Sequence, residues 1–158
     1  MRTTGKLVSV AAALLLAVFA APAAAGAAQN DGSTIRSDLN GKCLDIQGAD
    51  PGNSAAVIMY TCHGGANQRW YGTGDGTIRS ELNGKCLDIQ GADPGNSAAV
   101  IMYTCHGNAN QRWYFDGSTI RSELNGKCLD IQGADPGNSA AVIMYTCHGN
   151  ANQRWYVE

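Results

Sequence analysis

The segment from Thr77 to Tyr114 (TIRSELNGKCLDIQGADPGNSAAVIMYTCHGNANQRWY) recurs without a change from Thr119 to Tyr156. An earlier copy, Thr34 to Tyr71, differs only at Asp38, where the others have Glu81 and Glu123, and at Gly65, where they have Asn108 and Asn150. A period of about 42 residues is too short for each unit to bury an apolar face alone, so the copies must share one core. The units run over about 31–74, 75–115 and 116–158.

The chain ahead of the first copy is different in kind. Arg2 and Lys6 precede an apolar run from Leu7 to Ala20, interrupted only by Ser9, and a small-residue stretch from Pro22 to Ala28 follows. This pattern reads as a secretory signal peptide over 1–28, with cleavage near 25–28 and a mature domain over 29–158. Setting aside Arg2 and Lys6 leaves 9 basic against 13 acidic side chains, a formal charge of −4. Basic residues spread evenly through a mildly acidic chain give no footprint for nucleic acid, and no second long apolar run calls for membrane insertion. A secreted, extracellular monomer is expected.

Six cysteines agree with export, one pair per repeat: Cys43 and Cys62, Cys86 and Cys105, Cys128 and Cys147. Repetition leaves two main pairings, each pair closed within its repeat or each repeat linked to the next, and the first is preferred here. Closing such a loop stabilises by roughly 3 kcal/mol in the chain-entropy model. Cys62 is followed by His63, but without a close Cys-x-x-Cys pair a metal site is not expected, and neither is a cofactor.

Turn signals cut each repeat into short strands. In the first they fall at Thr34–Ser37, Cys43–Ile46, Ala56–Tyr60 and around Arg69–Tyr71, separated by Asn40-Gly41 as a two-residue hairpin turn, by the cluster Gly48–Ser54, and by His63-Gly64-Gly65. Four strands in each of three repeats make an all-β chain. Their number and three-fold order suit a β-trefoil, a six-stranded barrel capped by three hairpins, of three near-identical repeats with pseudo-three-fold symmetry.

Alternation assigns the faces. Leu44 and Ile46 share one side of their strand and Val57 and Met59 one side of theirs, so these are core; Trp70, Trp113 and Trp155 join them and need a partner for each indole N–H. Asp45, Ile58 and Tyr60 are left facing outward. An exposed carboxylate beside an exposed aromatic ring is the equipment of a sugar site, since the carboxylate accepts bonds from hydroxyls while the ring covers the apolar face of a pyranose.

Cys-Leu-Asp-Ile, then Val-x-Met-Tyr-x-Cys, then Asn-Gln-x-Trp, in all three repeats, resembles the ricin B-type lectin family of carbohydrate-binding β-trefoil modules. The stand-alone three-unit layout, with its Gly72-Thr73-Gly74-Asp75-Gly76-Thr77 link, is similar to an actinohivin-like arrangement, whose sugar specificity is not implied. The resemblance implies that Asp45, Asp88 and Asp130 bind vicinal hydroxyls. It places Tyr60, Tyr103 and Tyr145 at the stacking position and Asn67, Asn110 and Asn152 at an amide contact. His63, His106 and His148 stand where some members carry a further polar contact, and Gln68 and its copies are structural. Ile58, Ile101 and Ile143 depart from the polar residue, often Gln, that many members carry, so a galactose preference is not implied.

The function expected is a secreted, non-catalytic lectin with up to three equivalent sites that binds polysaccharide or glycan chains by avidity. A glycosidase would need two carboxylates flanking one bond, and the available pair, Asp45 and Asp50, places Asp50 in an Asp-Pro-Gly turn with local work to do. A protein-binding trefoil, an inhibitor or toxin-binding subunit, is the other alternative; a protease-blocking loop would normally be present once.

Overall fold

The computed structural model describes residues 31–158. The signal-peptide reading of 1–28 lies outside them. Twelve strands run in chain order: β1 Ser33–Ser37, β2 Cys43–Ile46, β3 Ala55–Tyr60, β4 Arg69–Gly72, β5 Ile78–Ser80, β6 Cys86–Ile89, β7 Ala98–Tyr103, β8 Trp113–Asp116, β9 Thr119–Ser122, β10 Cys128–Ile131, β11 Ala140–Tyr145 and β12 Trp155–Val157. Between them lie short 3-10 turns, in the first repeat Gln47–Ala49, which overlaps the turn cluster at Gly48, and Ala66–Gln68, which follows His63-Gly64-Gly65 without a signal of its own.

The first and last strands of the repeats form the barrel. β1 pairs with both β12 and β4, β4 with β5, and β8 with β9, all antiparallel. The Thr77–Arg112 bridge joins the second repeat's first strand to its last, and the Trp155 N–H to Ser118 C=O bond of 2.7 Å does the same in the third. The middle strands make hairpins, β2 with β3, β6 with β7 and β10 with β11. β3, β7 and β11 then pair with one another in a closed triangle that caps the barrel. This is a β-trefoil.

One core serves all three repeats. Leu44, Ile46, Val57, Met59 and Trp70, with their copies and with Ile35, Ile78 and Ile120, form a single buried cluster. Each indole N–H donates to the carbonyl of a core leucine, Trp70 to Leu44 at 3.0 Å, Trp113 to Leu87 at 3.0 Å and Trp155 to Leu129 at 3.1 Å. A buried ring thus keeps its only polar group satisfied. The disulfides close within repeats, Cys43–Cys62, Cys86–Cys105 and Cys128–Cys147.

The turn at Asn40-Gly41 is longer than the dipeptide predicts. Ser37 N–H bonds to Lys42 C=O at 3.0 Å and Gly41 N–H to Ser37 C=O at 2.8 Å, so the loop between Ser37 and Lys42 holds Asp38, Leu39, Asn40 and Gly41. Gly41 takes φ 70°, and Asn40 Oδ1 accepts the Lys42 N–H at 3.0 Å. The extra length lets Leu39 pack back against the core, which a two-residue turn would prevent.

Candidate functional site

Each hairpin carries a cleft on its outer side. In the first repeat, the register pairs Asp45 directly with Ile58 and Cys43 with Tyr60, so Asp45, Ile58 and Tyr60 share the face opposite the core. His63 and Asn67 close one side and the turn Gln47–Ala49 the other, enclosing about 350 Å³. The second cleft, about 330 Å³, contains Asp88, Tyr103, His106 and Asn110; the third, about 350 Å³, contains Asp130, Tyr145, His148 and Asn152. All twelve side chains singled out in the sequence are therefore brought together in groups of four.

Asp45 is not exposed, as alternation alone predicts. It is 3% accessible and Ile58 6%, while Tyr60 is 40%. The reason is the 3-10 turn Ala66–Gln68, which folds back over β2 and lays two amides on the carboxylate. Gln68 Nε2 donates to Asp45 Oδ2 at 2.7 Å and Asn67 Nδ2 donates to the same oxygen at 3.1 Å. His63 Nε2 stands 3.5 Å from it. The same donors surround Asp88 and Asp130. Gln68, expected to be structural, is fully buried and also accepts the backbone N–H of His63 at 2.8 Å.

In the first and third clefts every one of these contacts falls on Oδ2, and Oδ1 takes no hydrogen bond from the described residues. No sealed side-chain nitrogen or oxygen among them lacks a partner, so Oδ1 reaches the cleft surface. Asn67 is oriented likewise. Its Nδ2 faces two acceptors, Asp45 Oδ2 and the Ile46 carbonyl at 3.4 Å, which leaves Oδ1 as an acceptor with no hydrogen bond from the described residues. Two open acceptors in one cleft match a ligand with adjacent hydroxyl donors.

Burial raises the carboxyls of Asp45, Asp88 and Asp130 above the ordinary aspartate value, outweighing the amide donors and histidine that pull them down. His63 Nδ1 accepts the Gly65 N–H at 3.2 Å, which assigns the ring proton to Nε2, on the side of Asp45. The ring also meets Tyr60 edge-on, with centroids 6.3 Å apart. Asp50 is engaged in its own turn, accepting the Gly52 N–H at 2.7 Å.

Three wall elements went unread in the sequence. The turn Gln47–Ala49 holds Gly48 and Ala49 at φ 64° and 51°, and an alanine in that region carries no pattern that marks it. Asn108 and Asn150 line the second and third clefts, where the first has Gly65, so the clefts are not equivalent. The difference was visible in the repeats but its position on a wall was not. The third element is a serine supplied to each cleft by another repeat.

The chain is similar to a designed three-fold symmetric protein, ThreeFoil, with 32% identity and a TM-score of 0.74, covering 79% of this chain and 96% of that one. An earthworm R-type lectin C-half, solved in complex with GalNAc, is 30% identical with a TM-score of 0.69, covering 81% and 98%. An exo-β-1,3-galactanase from Clostridium thermocellum shares the fold at 24% identity and a TM-score of 0.75; the match covers 81% of this chain and 30% of the enzyme. Residues 32–155 match the ricin-type β-trefoil lectin domain, and the chain belongs to that family.

Proposed function

We propose that the protein is a secreted, non-catalytic lectin whose three clefts each bind a sugar through vicinal hydroxyls. The observation that carries this reading is the pair of acceptors left over after the protein's own bonds are made, Asp45 Oδ1 and Asn67 Oδ1, beside a half-exposed Tyr60 ring. A pyranose offers two adjacent O–H donors and an apolar C–H face, which is the complement of that set. Adjacent hydroxyls donate to the two oxygens, and the tyrosine covers the ring.

One carboxylate per cleft does not suffice for glycoside hydrolysis, which needs a pair across the scissile bond. Export is supported by the charged and apolar start of the chain and by its three disulfides, which persist in oxidising compartments. A shallow cleft holds a single sugar weakly, and three on one rigid body favour polymers or glycan clusters through avidity.

A printed array of defined glycans, GalNAc included, probed with the disulfide-bonded protein tests the reading. Selective retention of a set of glycans is expected. Retention of none would overturn it.

A further inference from the structure

Each cleft takes part of its wall from a different repeat. Ser139 lines the cleft floored by Asp45, Ser54 that of Asp88, and Ser97 that of Asp130. The placement follows from the triangle of middle strands: Ala55 pairs with Met102 and Ala56 with Ile101, so Ser54 comes up beside Tyr103. Its N–H bonds to Met102 C=O at 2.8 Å. The loop before it is anchored to the same neighbour, with Asn53 Oδ1 accepting both the N–H and the hydroxyl of Thr104 at 3.1 Å. The two other junctions repeat these bonds.

The three serines also adopt an uncommon backbone. Their φ angles are 68°, 65° and 67°, in the left-handed region where a Cβ crowds the backbone and glycine or asparagine is the ordinary occupant. The hydroxyls make no hydrogen bond among the described residues, and the serines are exposed. Serine therefore gains nothing inside the protein that glycine would not supply at lower strain. What it adds is a hydroxyl at the lip of a cleft, and strain retained beside a site points to function.

We propose that Ser54, Ser97 and Ser139 are specificity-determining residues, each hydrogen-bonding the glycan held in the neighbouring repeat's cleft, so that every binding site is built by two repeats. This rests on the reading of the clefts as sugar sites. It also means that changing one repeat's loop alters the next repeat's selectivity.

Two backgrounds test it. Asp45→Asn with Asp88→Asn leaves only the third cleft, and Asp88→Asn with Asp130→Asn leaves only the first. Binding is read on the same array of defined glycans and then by titration with a glycan the native chain retains. In the first background Ser97→Gly is expected to weaken binding about fivefold, the effect of one neutral hydrogen bond, while Ser139→Gly does not; in the second the two exchange roles. Glycine fits the left-handed backbone, so the thermal midpoint should not fall, and Ser97→Ala, which keeps the strain, should show the same loss. Equal effects of the two glycine variants within a background, or no effect of either, would overturn the proposal. Undiminished binding by a folded Asp45→Asn, Asp88→Asn, Asp130→Asn triple variant would instead overturn the underlying assignment of sugar binding to these clefts.

Discussion

The side-chain amide of Gln68 donates to the carboxylate of Asp45 at 2.7 Å while its oxygen accepts the backbone N–H of His63 at 2.8 Å. A single buried residue thus fixes both the floor of the cleft and the loop that walls it. Its second N–H reaches the Thr61 carbonyl at 3.1 Å, so its donors and acceptor are all in use. Gln111 and Gln153 repeat the arrangement at 2.6 and 2.7 Å from Asp88 and Asp130. The site and the fold are in this respect one network.

Replacing Gln68 by Leu should therefore damage both. The variant removes the shortest of the bonds to a buried carboxylate and leaves the His63 N–H and the Thr61 carbonyl without their partner, and leaving such groups unpaired costs about 1–3 kcal/mol each. A loss of about 3 kcal/mol in unfolding free energy is expected from denaturant titration, together with weakened binding at the first cleft alone. An unchanged midpoint would show that the network does not hold the loop.

Acidification should separate binding from folding. The carboxyls of Asp45, Asp88 and Asp130 are raised by burial above 3.8, so in the folded protein they hold protons more tightly than in the unfolded chain. Their contribution to folding is full below pH 3.8 and is lost as pH rises through the raised folded value. Binding has the opposite sign, because sugar hydroxyls donate to the ionised form. Calorimetry at decreasing pH is expected to show affinity falling with a midpoint above 3.8, with circular dichroism still native. A midpoint at or below 3.8 contradicts the burial argument.

The first cleft should differ from the other two. A Cβ placed on Gly65 would meet Asn67 Oδ1 at 2.7 Å and His63 Cε1 at 2.8 Å, so both side chains occupy space that Asn108 and Asn150 deny to their counterparts. Asp88→Asn and Asp130→Asn should affect the binding isotherm alike, and Asp45→Asn differently. Adding Gly65→Asn is expected to make all three knockouts equal. Three equal knockouts in the native chain would contradict the inequivalence.

The strands, the common core and the trefoil were legible because turn residues and two-residue alternation are local properties, and the repeats state them three times. Cys43–Ile46 begins and ends where the sequence places it. The depth of Asp45 was not legible, because its cover comes from Asn67 and Gln68, more than 20 residues on, in a turn without a composition signal. Ser139 was further out of reach. Its loop meets the first cleft only because β3 and β11 pair, a contact between the first and last repeats that no window of sequence contains.

Sugar binding is expected to depend on the three aspartates. Titration calorimetry of the native chain and of the Asp45→Asn, Asp88→Asn, Asp130→Asn triple variant, with a glycan retained on the array, tests it most directly. Asparagine preserves shape, but its amide oxygen must take the place of Oδ2 opposite the Gln68 and Asn67 donors, so its NH2 replaces the acceptor at the cleft and the charge is lost, which is worth about 1.5–3 kcal/mol in hydrogen bonds to an ionised group. A folded triple variant with no measurable binding is the result predicted; a folded triple variant that binds as the native chain does would contradict it.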